Sequence, residues 1–377
     1  APPVVTPLSP AEALELRGLL FGEAAAKSTS KELPQEWLQG WCFEPDAAEA
    51  CPYGLRQAEG GPCGVVAPVQ AFLLRRLLQR QLRPPTVTAA QAREALLDAM
   101  TDILFQCAEK DSQMPKVRVL AHPAHCSNVA LAAKRVLRSP EGCSVLEFQA
   151  WDVLRHAWEK PPLLASYFSS DPDDNASSAG VLLYLYSAVA TRSVRGVRGD
   201  VDTPNEAQMI GLHNYCSQEA VNLLITGFAR SNVFDGEKVL NGEKQGEELK
   251  LRGTAEKPQV GFLSLFEAFG SLEVGCRLKT PAWPVWISHA ESHYSILFCD
   301  SVEAVAENPE KPVESDVWYY DPLGRQDEEK RITVKPGGLQ DLPDEDDLET
   351  NGMIAKVIRT RWGQLADLDW NGSEPIY

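Results

Sequence analysis

The chain has 377 residues, with 53 Asp and Glu against 36 Lys and Arg and a formal charge of −17. Apolar residues make up 44% and charged residues 24%, which argues against wholesale disorder, and the length allows a large core without metal or disulfide staples. The acidic excess leaves no basic stripe to offset phosphate charge, which argues against nucleic acid as a partner.

In chain order, residues 1–10 read as a loose, Pro-rich arm with neither the basic start nor the apolar core of a signal peptide. The chain opens on Ala1 rather than Met, as expected of a piece of a longer protein. Leu14, Leu16, Leu19, Leu20 and Phe21 recur near helical spacing and predict a helix over 11–25. Trp37, Trp41 and Phe43 are large rings expected to pack on the main body. Helices are predicted over 65–82, from Val65, Val69, Phe72, Leu73 and Leu77, and over 89–107, from Leu96, Leu97, Met100, Ile103 and Leu104. Residues 111–155 mix short β-like runs, such as the one from Val117 to Val119, with turn residues. The apolar stretch 181–190 fits a buried helix or strand, with its length favouring helix. It falls far short of the ~18 residues of a membrane span, so no membrane partner is expected.

Ser217 as N-cap and Gly227 near the end bound a further helix. Residues 234–259 and 300–316 are predicted surface loops, 261–269 a short apolar helix and 341–347 an acidic loop. The runs 283–288, 294–299 and 317–320 are β-branched and aromatic between turns, and predict strands. Helices first and strands later imply an α+β fold, and no clear linker cuts it in two.

The stretch QAEGGPCGVV, residues 57–66, carries the most chemistry. A nucleophilic thiol has to ionise and needs donors around the oxyanion it creates. A helix N-terminus supplies part of both, through its unpaired N–H groups and its positive dipole end. Gly60 and Gly61 let the chain bend sharply before Cys63, Gly64 leaves room beside it, and Gln57 can aim its amide into the same hole. Pro68 cannot donate to the Gly64 carbonyl. Either the regular helix starts near Val66 and leaves Cys63 on a bend, or its first turn is distorted.

The nine cysteines, at 42, 51, 63, 107, 126, 143, 216, 276 and 299, are odd in number, scattered and free of CxxC pairs. That argues against a secreted disulfide framework and for a cytoplasmic or nuclear setting. A lone cysteine is more often a small buried hydrophobe than a nucleophile; the Gly-Gly-Pro approach and the upstream Gln57 single out Cys63. Of the six histidines, His293 opens the strand-like run HYSILF and is the candidate base, with His289 in the preceding turn its nearest competitor. His122, His125 and Cys126 superficially suggest a metal site, but no further ligand with plausible spacing is near, so no metal is expected. Asp321, directly after the aromatic WYY strand, is the candidate to orient the base, although Asp-Pro-Leu-Gly is also a good turn by itself.

The blocks GGPCGVVAPVQAFLLRRLL, YCSQEAVNLLITGFARSNVFDG, GFLSLFEAF, VGCRLKTPAWPVWI, ESHYSILF and WYYD, with the terminal IRTRW and WNGSEPIY, together resemble the catalytic domain of the MINDY deubiquitinases. The similarity runs from about Leu20 to Tyr377 and is closest to the branch of the third and fourth paralogues, nearer the fourth. The resemblance implies a papain-like cysteine peptidase variant, in which a helical part carrying the nucleophile packs on a β-sheet carrying the catalytic histidine. It also implies one catalytic domain over residues 1–377. It implies hydrolysis of isopeptide bonds in polyubiquitin, with lysine-48-linked chains preferred and no cofactor required.

Carried onto this sequence, Cys63 matches the nucleophile, His293 the general base and Gln57 the oxyanion-hole residue, alongside the Cys63 backbone N–H. Asp321 is the possible third catalytic residue, and His289 has no match. Ubiquitin and polyubiquitin are the expected partners, met by a monomer, and the −17 charge suits the basic recognition face of ubiquitin. Two alternatives stay open: a catalytically quiet ubiquitin-binding scaffold, and another papain-like thiol enzyme, such as a protease for a different ubiquitin-like protein or a transglutaminase-like transferase.

Overall fold

The computed structural model describes residues 2–23, 34–44, 50–108, 114–122, 129–169, 178–241, 248–305, 312–326, 328–343 and 346–376. Strands β1 (Val4–Pro7), β2 (Val117–Ala121) and β3 (Ser144–Phe148) form an antiparallel sheet in the order β1-β3-β2. Strands β4 (Glu237–Asn241) and β5 (Glu248–Arg252) form a separate two-stranded ribbon. The larger sheet holds β6 (Gly261–Ser264), β7 (Val285–Ala290), β8 (His293–Phe298), β9 (Ser315–Tyr320), β10 (Lys330–Lys335) and β11 (Asp367–Asp369), side by side in chain order. Only the β6–β7 pair is parallel.

The longer helices are α1 (Pro10–Phe21), α2 (Cys63–Gln79), α3 (Ala89–Cys107), α4 (Val129–Arg138), α5 (Gly180–Arg192), α6 (Gln218–Thr226) and α7 (Asp346–Trp362). Several begin and end as the side chains dictate. Thr88 and Gln91 close a capping box at the start of α3. Ser217 accepts from Ala220 N at the start of α6, and Gly227 ends that helix in the left-handed conformation. The run at 181–190 is helix, and every residue of α5 but the last is buried. None of the helices in the described residues is long and apolar enough to cross a membrane.

Alternation along the strands explains the layering. Tyr294, Ile296 and Phe298 of β8 and Trp318 and Tyr320 of β9 join the core around α2, whereas Leu297, Val317 and Tyr319 face the other way. That second face packs on α7 through Ile354, Val357, Ile358 and Trp362, with the Trp286 and Trp362 rings meeting edge to face at 5.3 Å. Strands covered on both faces read as near-continuous apolar runs, which is why β7, β8 and β9 stand out in the sequence.

Several expectations are corrected. Within the supposed arm 1–10, Val4–Pro7 pairs with β3 and Leu8 is buried; backbone pairing orders the segment while its valines stay exposed, so no apolar pattern marks it. Within the supposed loop 234–259, β4 and β5 pair as a ribbon on which Lys250 meets Glu237 while Lys238 reaches Glu273 outside it; Val239, Leu240 and Leu249 stay exposed, so no buried face marks the segment. Residues 261–269 are a strand followed by a single helical turn, Leu265–Ala268, because Ser264 accepts from Phe266 N and breaks the run. Residues 346 and 347, placed in an acidic loop, open α7; 344 and 345 lie outside the described residues. Gly352, at φ 70°, interrupts α7, and Arg359 and Arg361 are buried in it, which hides its period. In 300–316, a short turn of helix covers Val302–Val305 and β9 begins at Ser315, while 306–311 lie outside the described residues.

Residues 53–59 join the two halves. Gln70, fully buried on α2, accepts from Leu55 N at 2.7 Å and donates to Tyr53 O at 3.1 Å. Tyr320 Oη donates to Leu55 O at 3.0 Å, and Gln57 N donates to Pro322 O at 2.8 Å. Gly54 leaves the room this needs, since a Cβ there would lie 2.1 Å from Tyr320 Oη. Gly54→Ala is therefore expected to lower stability by about 1–3 kcal/mol through overpacking, read as a lower denaturation midpoint with an unchanged m-value.

Candidate active site

Cys63 is the first residue of α2, so the bend before the helix ends at the thiol itself. Gly61 supplies that bend at φ 112°. Pro68 is accommodated inside the helix, and the first turn is tightened, with Val65 N and Val66 N both donating to Pro62 O. Pro62 has no side chain to cap the helix, and among the described residues Cys63 N–H meets no protein acceptor. A free N–H thus lies on the same residue as the thiol. Gly64 is required by close approach: a Cβ there would lie 2.5 Å from Cys216 Cβ.

His293 opens β8 after a two-residue turn, Glu291 and Ser292, both with positive φ, closed by the Ala290–His293 pair. β9 ends at Tyr320, opposite Ile296, so Asp321 follows beside the first part of β8. His293 Nε2 and Asp321 Oδ1 are 2.8 Å apart. With Nε2 so engaged, Nδ1 is left for the Cys63 sulfur, which hydrogen-bonds to the same imidazole. Burial lowers the pKa of His293, but its hydrogen bonds and electrostatic interactions with Asp321 and Cys63 outweigh it and raise the value to about 10. Asp321 also accepts from Leu323 N at 2.8 Å, so it serves the turn and the histidine at once.

The competing histidine is placed differently. His289 stacks on Tyr294 with ring centroids 4.3 Å apart, and Phe266 meets its edge at 5.4 Å. Burial, with the nearby His293 charge, holds it down at about 4, so it is neutral at physiological pH. Gln57 is 1% exposed; its Nε2 donates to Glu59 O at 2.8 Å, and its Oε1 is buried without a partner. The amide end thus engages the loop before Cys63. Cys216, which packs against Gly64 next to Cys63, leaves no local pattern in the sequence because the approach spans 152 residues of chain. Burial pushes the Cys216 thiol well up, and the neighbouring Cys63 adds to this, so it stays protonated.

His122 is buried, and burial lowers it to about 4; His125 and Cys126 lie outside the described residues. Among the described residues, no group of three or more His, Cys, Asp or Glu side chains could hold a metal ion.

A thiol at a helix mouth, bonded to an imidazole that a carboxylate holds in turn, is the arrangement a thiol-dependent hydrolase needs. The chain belongs to the family described as deubiquitinating enzyme MINDY-3/4, conserved domain, whose model matches residues 17–372. The Mus musculus protein named "Probable ubiquitin carboxyl-terminal hydrolase MINDY-4" is 35% identical over 388 residues, covering 99% of this chain and 48% of the relative. Its Homo sapiens counterpart is 33% identical over 385 residues, with 98% and 46% covered. The Homo sapiens "Ubiquitin carboxyl-terminal hydrolase MINDY-3" is 30% identical over 312 residues, with 80% and 67% covered. The chain spans about half the length of these MINDY-4 relatives. No solved structure matches it.

The raised His293 pKa has a kinetic consequence. In a thiol hydrolase that uses His293 as its acid, the imidazolium is lost only as pH rises through its own pKa, so the alkaline limb of kcat/KM should lie well above the ordinary 6.5, towards 10. Asp321→Asn keeps an acceptor but removes the charge, and should move that limb down by roughly one pH unit or more. A limb that stays in place in this variant would contradict the role expected of Asp321.

Proposed function

We propose that this chain is a thiol-dependent deubiquitinase of papain-like type, a single catalytic unit over residues 1–377, that hydrolyses isopeptide bonds in polyubiquitin. The observation that carries the reading is the row from Cys63 through His293 to Asp321 in a chain of this family. The names of the relatives support ubiquitin as the substrate. The preference for lysine-48-linked chains rests on the family resemblance alone. The enzyme acts as a monomer, in the cytoplasm, the nucleus or both, with neither nucleic acid nor membrane as a partner.

The Cys63 thiolate attacks the carbonyl carbon of the C-terminal glycine of the distal ubiquitin, and the electron pair moves onto the carbonyl oxygen. The Cys63 N–H and the Gln57 amide stabilise that oxyanion. As the tetrahedral species collapses, the C–N bond breaks and the departing lysine amine takes a proton from His293. Water then attacks the thioester while His293 accepts its proton. The carboxylate of ubiquitin leaves and the thiolate is restored. No cofactor enters this sequence. Cys63 is only 2% exposed, so a slender chain end reaches it most readily, which supports a diglycine tail as the acyl group.

Incubation with tetra-ubiquitin of each linkage tests the reading. Lysine-48-linked chains should be shortened fastest, and Cys63→Ala should abolish cleavage of all of them. Cleavage that survives Cys63→Ala would refute the nucleophile, and equal rates on every linkage would refute the preference.

A further inference from the structure

Gln39 belongs to none of the motifs that mark the site in sequence, yet its side chain is devoted to the loop that leads to the nucleophile. It is 4% exposed. Its Oε1 accepts from Ala58 N at 2.9 Å and its Nε2 donates to Glu59 O at 3.1 Å, so one side-chain amide pairs with the loop as a neighbouring strand would. The same Nε2 donates to Glu36 O. The Gln39 backbone is anchored as well, its carbonyl accepting from Val181 N at the start of α5 at 3.0 Å. Glu59 O has a second donor, Gln57 Nε2 at 2.8 Å.

The two ends of a primary amide have nearly the same shape, and hydrogen bonding decides which way the group faces. Gln57 is buried and its Oε1 has no partner. Turned over, the amide would set that oxygen against the Glu59 carbonyl oxygen. The carbonyl therefore selects the NH2 end, and Nε2 keeps a second N–H for another acceptor. We infer that Gln39 is a positioning residue for the oxyanion hole: it fixes the Glu59 carbonyl, which in turn fixes the donor end of Gln57. This rests on the reading of Gln57 as an oxyanion donor. Donors held in advance stabilise a developing charge without reorganising, and a loop free to shift loses that advantage.

Steady-state kinetics on lysine-48-linked ubiquitin chains test this with Gln39→Glu, Gln39→Met, Gln57→Ala and the pair Gln39→Glu with Gln57→Ala. Gln39→Glu keeps the acceptor for Ala58 N but places an oxygen against Glu59 O. It should lower kcat about 10- to 100-fold, no more than Gln57→Ala does. KM should stay within about twofold, because the interaction is used in the transition state. The double variant should be no slower than Gln57→Ala, since both changes remove one unit. Alkylation of Cys63 by iodoacetamide, which forms no oxyanion, should proceed at the wild-type rate in Gln39→Glu.

Wild-type kcat in folded Gln39→Glu alongside a slow Gln57→Ala would overturn the positioning role alone, as would losses that multiply in the double variant or a changed alkylation rate. Wild-type kcat in Gln57→Ala, or no cleavage of ubiquitin chains by the wild type, would remove the oxyanion reading and this role with it. Should Gln39→Glu not fold, Gln39→Met, of similar length without hydrogen-bonding ends, takes its place, and wild-type kcat in that variant overturns the inference.

Discussion

The site depends on one chain of interactions, from Asp321 through His293 to Cys63, each residue held by a different element. Two histidines four residues apart on one hairpin make its strength plain. Burial acts on both and disfavours the charged form. His289, packed among rings, falls to about 4, whereas His293, with a carboxylate and a sulfur as partners, rises to about 10. Partners, not burial, separate the two histidines here. The charge relations also set Cys216 apart from its neighbour Cys63: burial and Cys63 keep it protonated.

Holding three side chains in register takes a rigid frame. β8 lies between β7 and β9, and both faces of the sheet are covered, by α2 and by α7. The helix that carries Cys63 is tied to the strand end that carries Asp321 through residues 53–59, clamped by Gln70 on α2, by Tyr320 on β9 and by Gln39 from the segment before. Glu291 and Ser292 sit at positive φ in the turn that launches His293, a conformation that Gly and Asn adopt more easily. Local strain is thus found in the turn that sets the angle at which His293 meets Asp321.

Much of this was legible in the sequence, and the residues say why. Cys63 announced itself because Gly61, Gly64 and the helix that follows are all local; His293 because it opens a strand whose apolar run is continuous. Asp321 reads in the sequence both as the candidate to orient the base and as a turn residue, and in the structure it meets His293 and accepts from Leu323 N. The β1 strand, the β4–β5 ribbon and α7 were hidden, since pairing orders the first two while their apolar side chains stay largely exposed, and Gly352 with buried arginines breaks the pattern of the third. Cys216 and Gln39 act across long stretches of chain, and no window of sequence brings them to the site.

The most direct measurement is an NMR titration of the His293 imidazole in the wild type and in Cys63→Ala. The imidazolium should persist through neutral pH and lose its proton near 10, and at a lower pH once the sulfur is removed. A His293 that titrates near 6.5 in both proteins would contradict the coupling of thiol, imidazole and carboxylate.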